Sequence, residues 1–420
     1  MNIGSTLCPC LRLLYNYFSV FIQNQLKFTL QNEDIFILLL LLPLLHYKFL
    51  MIRFSKVFIY SYVSLQSLFT YGQDPSFKDR LCFEADANYG FVMPHLKSIA
   101  YFVDEHIKGY QFNVGILTNG EKKWHNYYNY PRLGIGFYHS NLGNSQIYGH
   151  VSALYGYFDR YFFKLNSRFN LGNRLAFGIG YIDKKFDLQD NYFDLAIGSH
   201  VNVYINYGLE GLVRISPLVQ MKLGLGMTHV SNGRFKEPNQ GLNMITSFVG
   251  VQYSLNDPYK YITNESKETD EPGRNQLILM GSAGEKQISR KYTYTYWPTS
   301  LSAEYARKIS RTSWVGLAIS TYLDPSLKKE IEMEGDTAKN GDNIRIALNF
   351  SYELKMGRFS YIFQPGFYLK NSYTKPGTIS NKIGLRYQLN RRWLTGITIK
   401  AHWLAIADFI EWGIGYRLNY

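Results

Sequence analysis

Segment after segment of this chain alternates strictly between apolar and polar side chains, and few patterns restrict a fold as much. From Val201 to Ile215 the odd positions read Val, Val, Ile, Tyr, Leu, Gly, Val, Ile, while the even ones include Asn202, Asn206, Glu210 and Arg214. Ile344, Ile346, Leu348, Phe350, Tyr352 and Leu354 likewise alternate with Asn343, Arg345, Asn349, Ser351 and Glu353. Ile383, Leu385, Tyr387 and Leu389 alternate with Arg386 and Gln388, and the chain closes on Ile410, Trp412, Ile414, Tyr416, Leu418 and Tyr420 against Glu411, Arg417 and Asn419. Successive side chains of a strand point to opposite faces, so each run is a strand with one greasy and one polar face. A soluble sandwich also permits this, its apolar face becoming core. These strands, however, run about 10 to 15 residues where globular ones average about 5 to 6, and the last residue is an aromatic on the greasy face, as in membrane barrels. The expected fold is therefore all-β: a transmembrane antiparallel β-barrel of roughly 14–16 strands, or an 8-stranded barrel plus a second β unit.

Composition narrows the choice. With 46% apolar residues the mean hydropathy is still −0.20, which excludes a polytopic helical membrane protein. The 36 Tyr, 28 Phe and 6 Trp suit a membrane–water interface, where a ring with an apolar body and a wet tip is at home. Net charge is +13, but Lys and Arg are scattered singly, which argues against nucleic-acid binding. Cys8, Cys10 and Cys82 offer neither a disulfide framework nor a metal cluster.

The first seventy-odd residues lack the pattern. Ile35 to Leu45 is too short to span a bilayer. From Met51, Arg53 and Lys56 lead into an apolar run and a small-residue exit near Gly72, the order of a secretory signal peptide. Residues 1–50 are thus expected to be upstream translation and 51–72 a signal peptide. Residues 73–256 form a first barrel portion that holds the active site, 257–275 a polar loop with five acidic residues, and 276–420 a C-terminal barrel portion. Asn170–Asn173 and Leu389–Arg392 read as polar turns, and Ser326 to Asp342 as an exposed loop. Charges on the polar face, such as Glu210, Arg214, Lys222, Arg345, Glu353, Arg386, Lys400, Glu411 and Arg417, are expected to pair inside the barrel.

One constellation carries chemistry. Val219, Met221, Leu223, Leu225 and Met227 share the greasy face, and the same odd series continues to His229 and Ser231. Spacing i, i+2 sets the imidazole and hydroxyl side by side on the pleat, which suits a His base beside a Ser nucleophile. Asn243, on the odd face of the next strand, falls near the same height across a hairpin and can orient the imidazole. Arg234 and Lys236 lie in the turn, where they can attract phosphates.

The run His229-Val230-Ser231-Asn232-Gly233-Arg234-Phe235-Lys236-Glu237-Pro238-Asn239-Gln240-Gly241-Leu242-Asn243 resembles the active-site stretch of the lipid A 3-O-deacylases, outer-membrane β-barrel esterases of Gram-negative bacteria. It is more similar still to the longer acyloxyacyl hydrolases of Bacteroidetes-type organisms. Supporting stretches are Gly90–His95, Trp124 with Tyr130-Pro131, Asn191, Ile197–Asn202 and Glu411–Tyr416. The short deacylases cover about Leu81 to Leu255, and the long relatives nearly the whole chain after the leader.

The resemblance implies that Ser231 is the nucleophile and His229 its base, with Asn232 and Asn239 forming or supporting the oxyanion hole. The family's acid falls on Asn243, a departure that keeps a hydrogen-bond acceptor but loses the negative charge. Glu237 is a possible replacement acid if the turn folds back. The implied activity is removal of an ester-linked acyl chain from lipid A of lipopolysaccharide, in the outer membrane among its lipids, with no metal and no cofactor. The alternatives are a non-catalytic porin-like or structural barrel, and a phospholipase of the same membrane.

Overall fold

The computed structural model describes residues 77–163, 167–263, 273–291, 294–375, 377–403 and 406–419. The expected upstream stretch, the signal peptide and Tyr420 lie outside the described residues.

Among the described residues sixteen strands form, every neighbouring pair antiparallel. They are β1 (Leu81–Val92), β2 (Ile107–Leu117), β3 (Arg132–Asn141), β4 (His150–Tyr161), β5 (Phe169–Ile182), β6 (Val201–Arg214), β7 (Val219–Ser231), β8 (Leu242–Ser254), β9 (Asn275–Glu285), β10 (Thr299–Lys308), β11 (Ser313–Leu323), β12 (Ile344–Met356), β13 (Phe359–Lys370), β14 (Ile379–Gln388), β15 (Trp393–His402) and β16 (Ile406–Asn419). β1 pairs with β8 from Cys82↔Ser254 to Val92↔Met244, which closes a first barrel of eight strands. β16 pairs with β9 from Ile410↔Glu285 to Asn419↔Gln276, which closes a second. The fold is therefore two closed 8-stranded barrels, the two-unit version of the expectation.

The faces are inverted relative to a soluble protein. Leu154 is 65% exposed, Ile179 63% and Trp412 54% on the outside, while Glu84, Lys222 and Arg386 are buried inside. An apolar outer wall around a polar interior suits hydrocarbon and closes every strand edge. Eight strands enclose a space just wide enough for inward side chains to fill. In the first barrel Glu84 receives Arg132 at 2.6 Å, Arg174 at 2.7 Å and Lys222 at 2.7 Å, and Arg174 also holds Asp159 at 2.7 Å. In the second, Arg386 pairs with Glu304 at 2.6 Å, Arg417 with Glu353 at 2.7 Å and Lys382 with Glu411 at 2.6 Å. Pairing is what makes these charges tolerable away from water.

The two ends of the barrels differ. The tight connections 215–218, 309–312, 357–358 and 389–392 fall at one end, which also carries the longer 118–131. The longest connection of each barrel, 183–200 and 324–343, falls at the other, together with 93–106, 232–241 and 286–298. In outer-membrane barrels the longer loops face the cell exterior.

Two local expectations are corrected. Asn170–Asn173 is not a turn but part of β5, because Asn170 continues the inward series and its Oδ1 accepts from Phe163 N at 3.1 Å. Ser326 to Asp342 is not simply an exposed loop. It contains helix α3 (Ser326–Met333), which follows two short helices, α1 (Lys97–Ala100) and α2 (Lys123–Tyr127). Leu327 and Ile331, one turn apart, are both buried, so α3 packs an apolar edge against the rim.

Candidate active site

β7 and β8 meet at the long-loop end in a register that sets His229 directly opposite Asn243. Opposed residues of an antiparallel pair project to the same face about 5 Å apart, close enough for direct contact. His229 Nδ1 lies 2.7 Å from Asn243 Oδ1, and His229 Nε2 lies 2.9 Å from Ser231 Oγ. Because the amide oxygen can only accept, Nδ1 carries the proton and donates to Asn243, and Nε2 is left to accept from the Ser231 hydroxyl. The imidazole continues the outward series of Met221, Leu223, Leu225 and Met227, all exposed, and is itself half-buried, while Ser231 is buried. On the far side of Asn243, its Nδ2 donates to His95 Nδ1 at 3.3 Å.

The turn 232–241 is knotted by its own polar groups. Asn232 N donates to Asn239 Oδ1 at 2.8 Å, and Asn232 Nδ2 donates to Ser199 Oγ and to Lys236 O, each at 3.0 Å. Asn232 Oδ1 accepts from Arg234 N at 3.0 Å. Gly241 takes φ +71°, and a β-carbon there would crowd His229 Cε1 at 3.1 Å, so glycine leaves the imidazole its place. The loop 183–200 backs this turn: Gly241 N donates to Ala196 O at 3.0 Å.

The second barrel also grips the turn. Arg234 Nε pairs with Glu237 Oε1 at 2.8 Å, its Nη2 reaches Glu330 Oε1 of α3 at 3.0 Å, and its Nη1 lies 3.8 Å from Asp408 Oδ1 of β16. Gln287 N donates to Arg234 O at 3.0 Å, and Glu237 N donates to Gln287 Oε1 at 2.9 Å. Gly233, at φ +62°, has no room for a β-carbon against Ile410. Burial opposes charge on Arg234, but Glu330, Glu237 and Asp408 outweigh it and hold the guanidinium firmly protonated.

His229, Ser231 and Asn243 thus come together, with Asn232 and Asn239 bonded to each other beside them. Glu237 does not join the imidazole: its carboxylate is held by Arg234. Arg234 faces the seam between the barrels, and Lys236 is exposed on the turn. Sequence reasoning passed over His95, Ser199, Gln287, Glu330 and Asp408, which reach the site through long-range pairing. For His95 and Ser199 the only available signal was their place in the supporting stretches.

Asp194 gives the backing loop a pH dependence. Its Oδ1 accepts from Ala196 N and Ile197 N, each at 3.0 Å. Burial outweighs these two bonds and pushes the carboxyl up to about 7. A carboxyl whose folded pKa exceeds its unfolded one stabilises at low pH, so this support is full below about pH 4 and lost as pH rises to about 7. Amide exchange at residues 194–197, corrected for its intrinsic pH dependence, is expected to accelerate from pH 5 to pH 7 and to level off above. Asp194→Asn should flatten the profile.

Residues 108–252 match the family described as lipid A 3-O-deacylase (PagL), and residues 275–420 match the acyloxyacyl hydrolase C-terminal domain. No curated protein matches the chain. Among solved structures, the outer membrane enzyme PagL aligns at 15% identity over 40% of this chain and 97% of its own, with a TM-score of 0.27. Neisserial surface protein A aligns at 12% identity over 42% of this chain and 97% of its own, with a TM-score of 0.28. OpdK of Pseudomonas aeruginosa aligns at 10% identity over 82% of this chain and 100% of its own, with a TM-score of 0.23.

Proposed function

We propose, from the match of residues 108–252 to the lipid A 3-O-deacylase family and of residues 275–420 to the acyloxyacyl hydrolase C-terminal domain, that the chain is an outer-membrane serine esterase that removes an ester-linked acyl chain from lipid A. The observation that carries this reading is the imidazole of His229, hydrogen-bonded on one side to Ser231 and on the other to Asn243. The site lies on the outward face at the long-loop end. A lipid of the outer leaflet presents its esters at that depth, so a lipid-facing site suits the substrate.

In the proposed reaction, His229 Nε2 takes the Ser231 proton as Oγ attacks the ester carbonyl. The tetrahedral intermediate collapses, the alcohol oxygen of the ester leaves with the proton from His229, and the acyl chain stays on Ser231. Water, deprotonated by the same imidazole, then releases the fatty acid. Asn239 Oδ1 accepts from Asn232 N, which leaves the two amide N–H groups of Asn239 as the proposed donors for the oxyanion. Lys236, exposed on the turn, supplies attraction for the lipid's phosphates, and Arg234 holds the turn in place. A porin-like barrel finds no supporting observation among the described residues, where both interiors are occupied by buried ion pairs.

The test is to incubate the refolded protein in detergent micelles with lipid A and follow the lipid by mass spectrometry. Loss of the mass of one acyl chain is expected. Intact lipid A overturns the substrate, and cleavage of glycerophospholipid instead identifies a phospholipase.

Asn243→Asp provides a separate check. Asp is isosteric with Asn, so a carboxylate oxygen would take the position of Asn243 Oδ1, 2.7 Å from the imidazole, and add the charge that stabilises the imidazolium. Turnover of a soluble ester is expected to rise about tenfold, one pK unit of extra stabilisation. Unchanged turnover would show that this side chain does not act on the imidazole.

A further inference from the structure

An amide in the third position creates a problem that a carboxylate does not. The two oxygens of a carboxylate are equivalent, and either accepts from imidazole Nδ1–H. An Asn presents oxygen at one end and NH₂ at the other, and only the oxygen sets the tautomer that leaves Nε2 free to accept from a serine. With the amide turned over, Nδ2 donates to Nδ1, the imidazole proton moves to Nε2, and Ser231 faces a donor where it needs an acceptor.

We propose that His95 is a positioning residue that selects the productive orientation of the Asn243 amide. Its Nδ1 lies 3.3 Å from Asn243 Nδ2, on the side away from His229. A neutral imidazole with its proton on Nε2 offers Nδ1 as an acceptor, which rewards the NH₂ end of the amide and leaves the oxygen for His229. The chain of hydrogen bonds then runs in one direction: Ser231 Oγ–H to His229 Nε2, His229 Nδ1–H to Asn243 Oδ1, and Asn243 Nδ2–H to His95 Nδ1. His95 reaches this place because the segment after β1 is tied to β8 at the same residue: Met93 N donates to Asn243 O at 2.8 Å. His95 is exposed, so the core does not require it.

The inference rests on the Ser–His reading above. It predicts that the need for His95 exists only while residue 243 is an amide, and a double-mutant cycle reads that directly. The full chain is refolded in detergent, with folding checked by heat-modifiable gel mobility, and kcat and KM are measured on a soluble ester. His95→Ala is expected to lower kcat about tenfold, the scale of one hydrogen bond's contribution to an orientation equilibrium, with KM unchanged. His95→Gln, whose carbonyl accepts the same hydrogen, is expected to restore most of the loss. In the Asn243→Asp background, His95→Ala is expected to change kcat less than twofold.

Equal losses in both backgrounds would make His95 merely structural and overturn the proposal, as would wild-type kcat in His95→Ala or a Gln variant no better than Ala. A Ser231→Ala protein that keeps full activity would instead overturn the Ser–His reading, and the proposal with it. In an enzyme that Ser231→Ala silences, the outcome of the cycle bears on His95 alone.

Discussion

Ser231→Ala is expected to lower acyl release by about 10⁴- to 10⁶-fold while leaving the barrel folded, and His229→Ala to do the same. The size follows from the geometry. Ser231 Oγ and His229 Nε2 are 2.9 Å apart and act through one proton, so removing either group removes the same step. The double variant is therefore expected to be no worse than either single one, because residues that work as a unit have strongly non-additive effects. What remains comes from oxyanion donors and substrate binding. The measurement is fatty-acid release from lipid A, with heat-modifiable mobility reporting the fold. A Ser231→Ala protein within tenfold of the wild type would rule out this serine as the nucleophile.

The second large effect is expected far from the reacting atoms. Arg234→Ala should lower kcat about a hundredfold, the scale of an ångström's misplacement of reacting groups. Arg234 takes φ +72°, a conformation that non-glycine residues adopt only at a cost, and it is held there by Glu237, Glu330 and Asp408. Without the guanidinium, Glu237 loses its partner and the turn that begins at Asn232, one residue beyond the proposed nucleophile, keeps only its bonds to Gln287 as polar ties to the second barrel. Glu330→Gln removes only one of the three contacts and should cost less. Substrate choice separates two roles for the arginine. If it holds the turn, a neutral soluble ester suffers as much as lipid A. If it binds phosphate, the loss appears only with phosphorylated lipid and only in KM. Wild-type turnover of the neutral ester by Arg234→Ala would refute the positioning role.

These two expectations differ in how visible they are along the chain. The pairing of His229 with Ser231 follows from spacing, since i and i+2 on a strand share a face. Asn243 also falls on that face, once β7 and β8 are taken as a hairpin. Arg234 and Glu237 are neighbours in the turn, but their pairing with each other, which takes Glu237 away from the imidazole, depends on side-chain directions that no period reveals. Glu330 and Asp408 stand about a hundred residues or more beyond the site and come to it only through the second barrel. The turn misplaced at Asn170–Asn173 has the same origin: two asparagines and a glycine mark a turn in solvent, yet in a barrel wall the asparagine faces a polar lumen and the strand runs on.

By itself the sequence decided which residues of each strand share a face, one apolar and one polar, because the pleat repeats every two residues whatever the strand pairs with. The division of sixteen strands into two closed eights was left to the tertiary structure. So was the set of groups around His229, because closure joins β1 to β8 and β9 to β16 across well over a hundred residues of chain, and the residues brought together there share no local pattern.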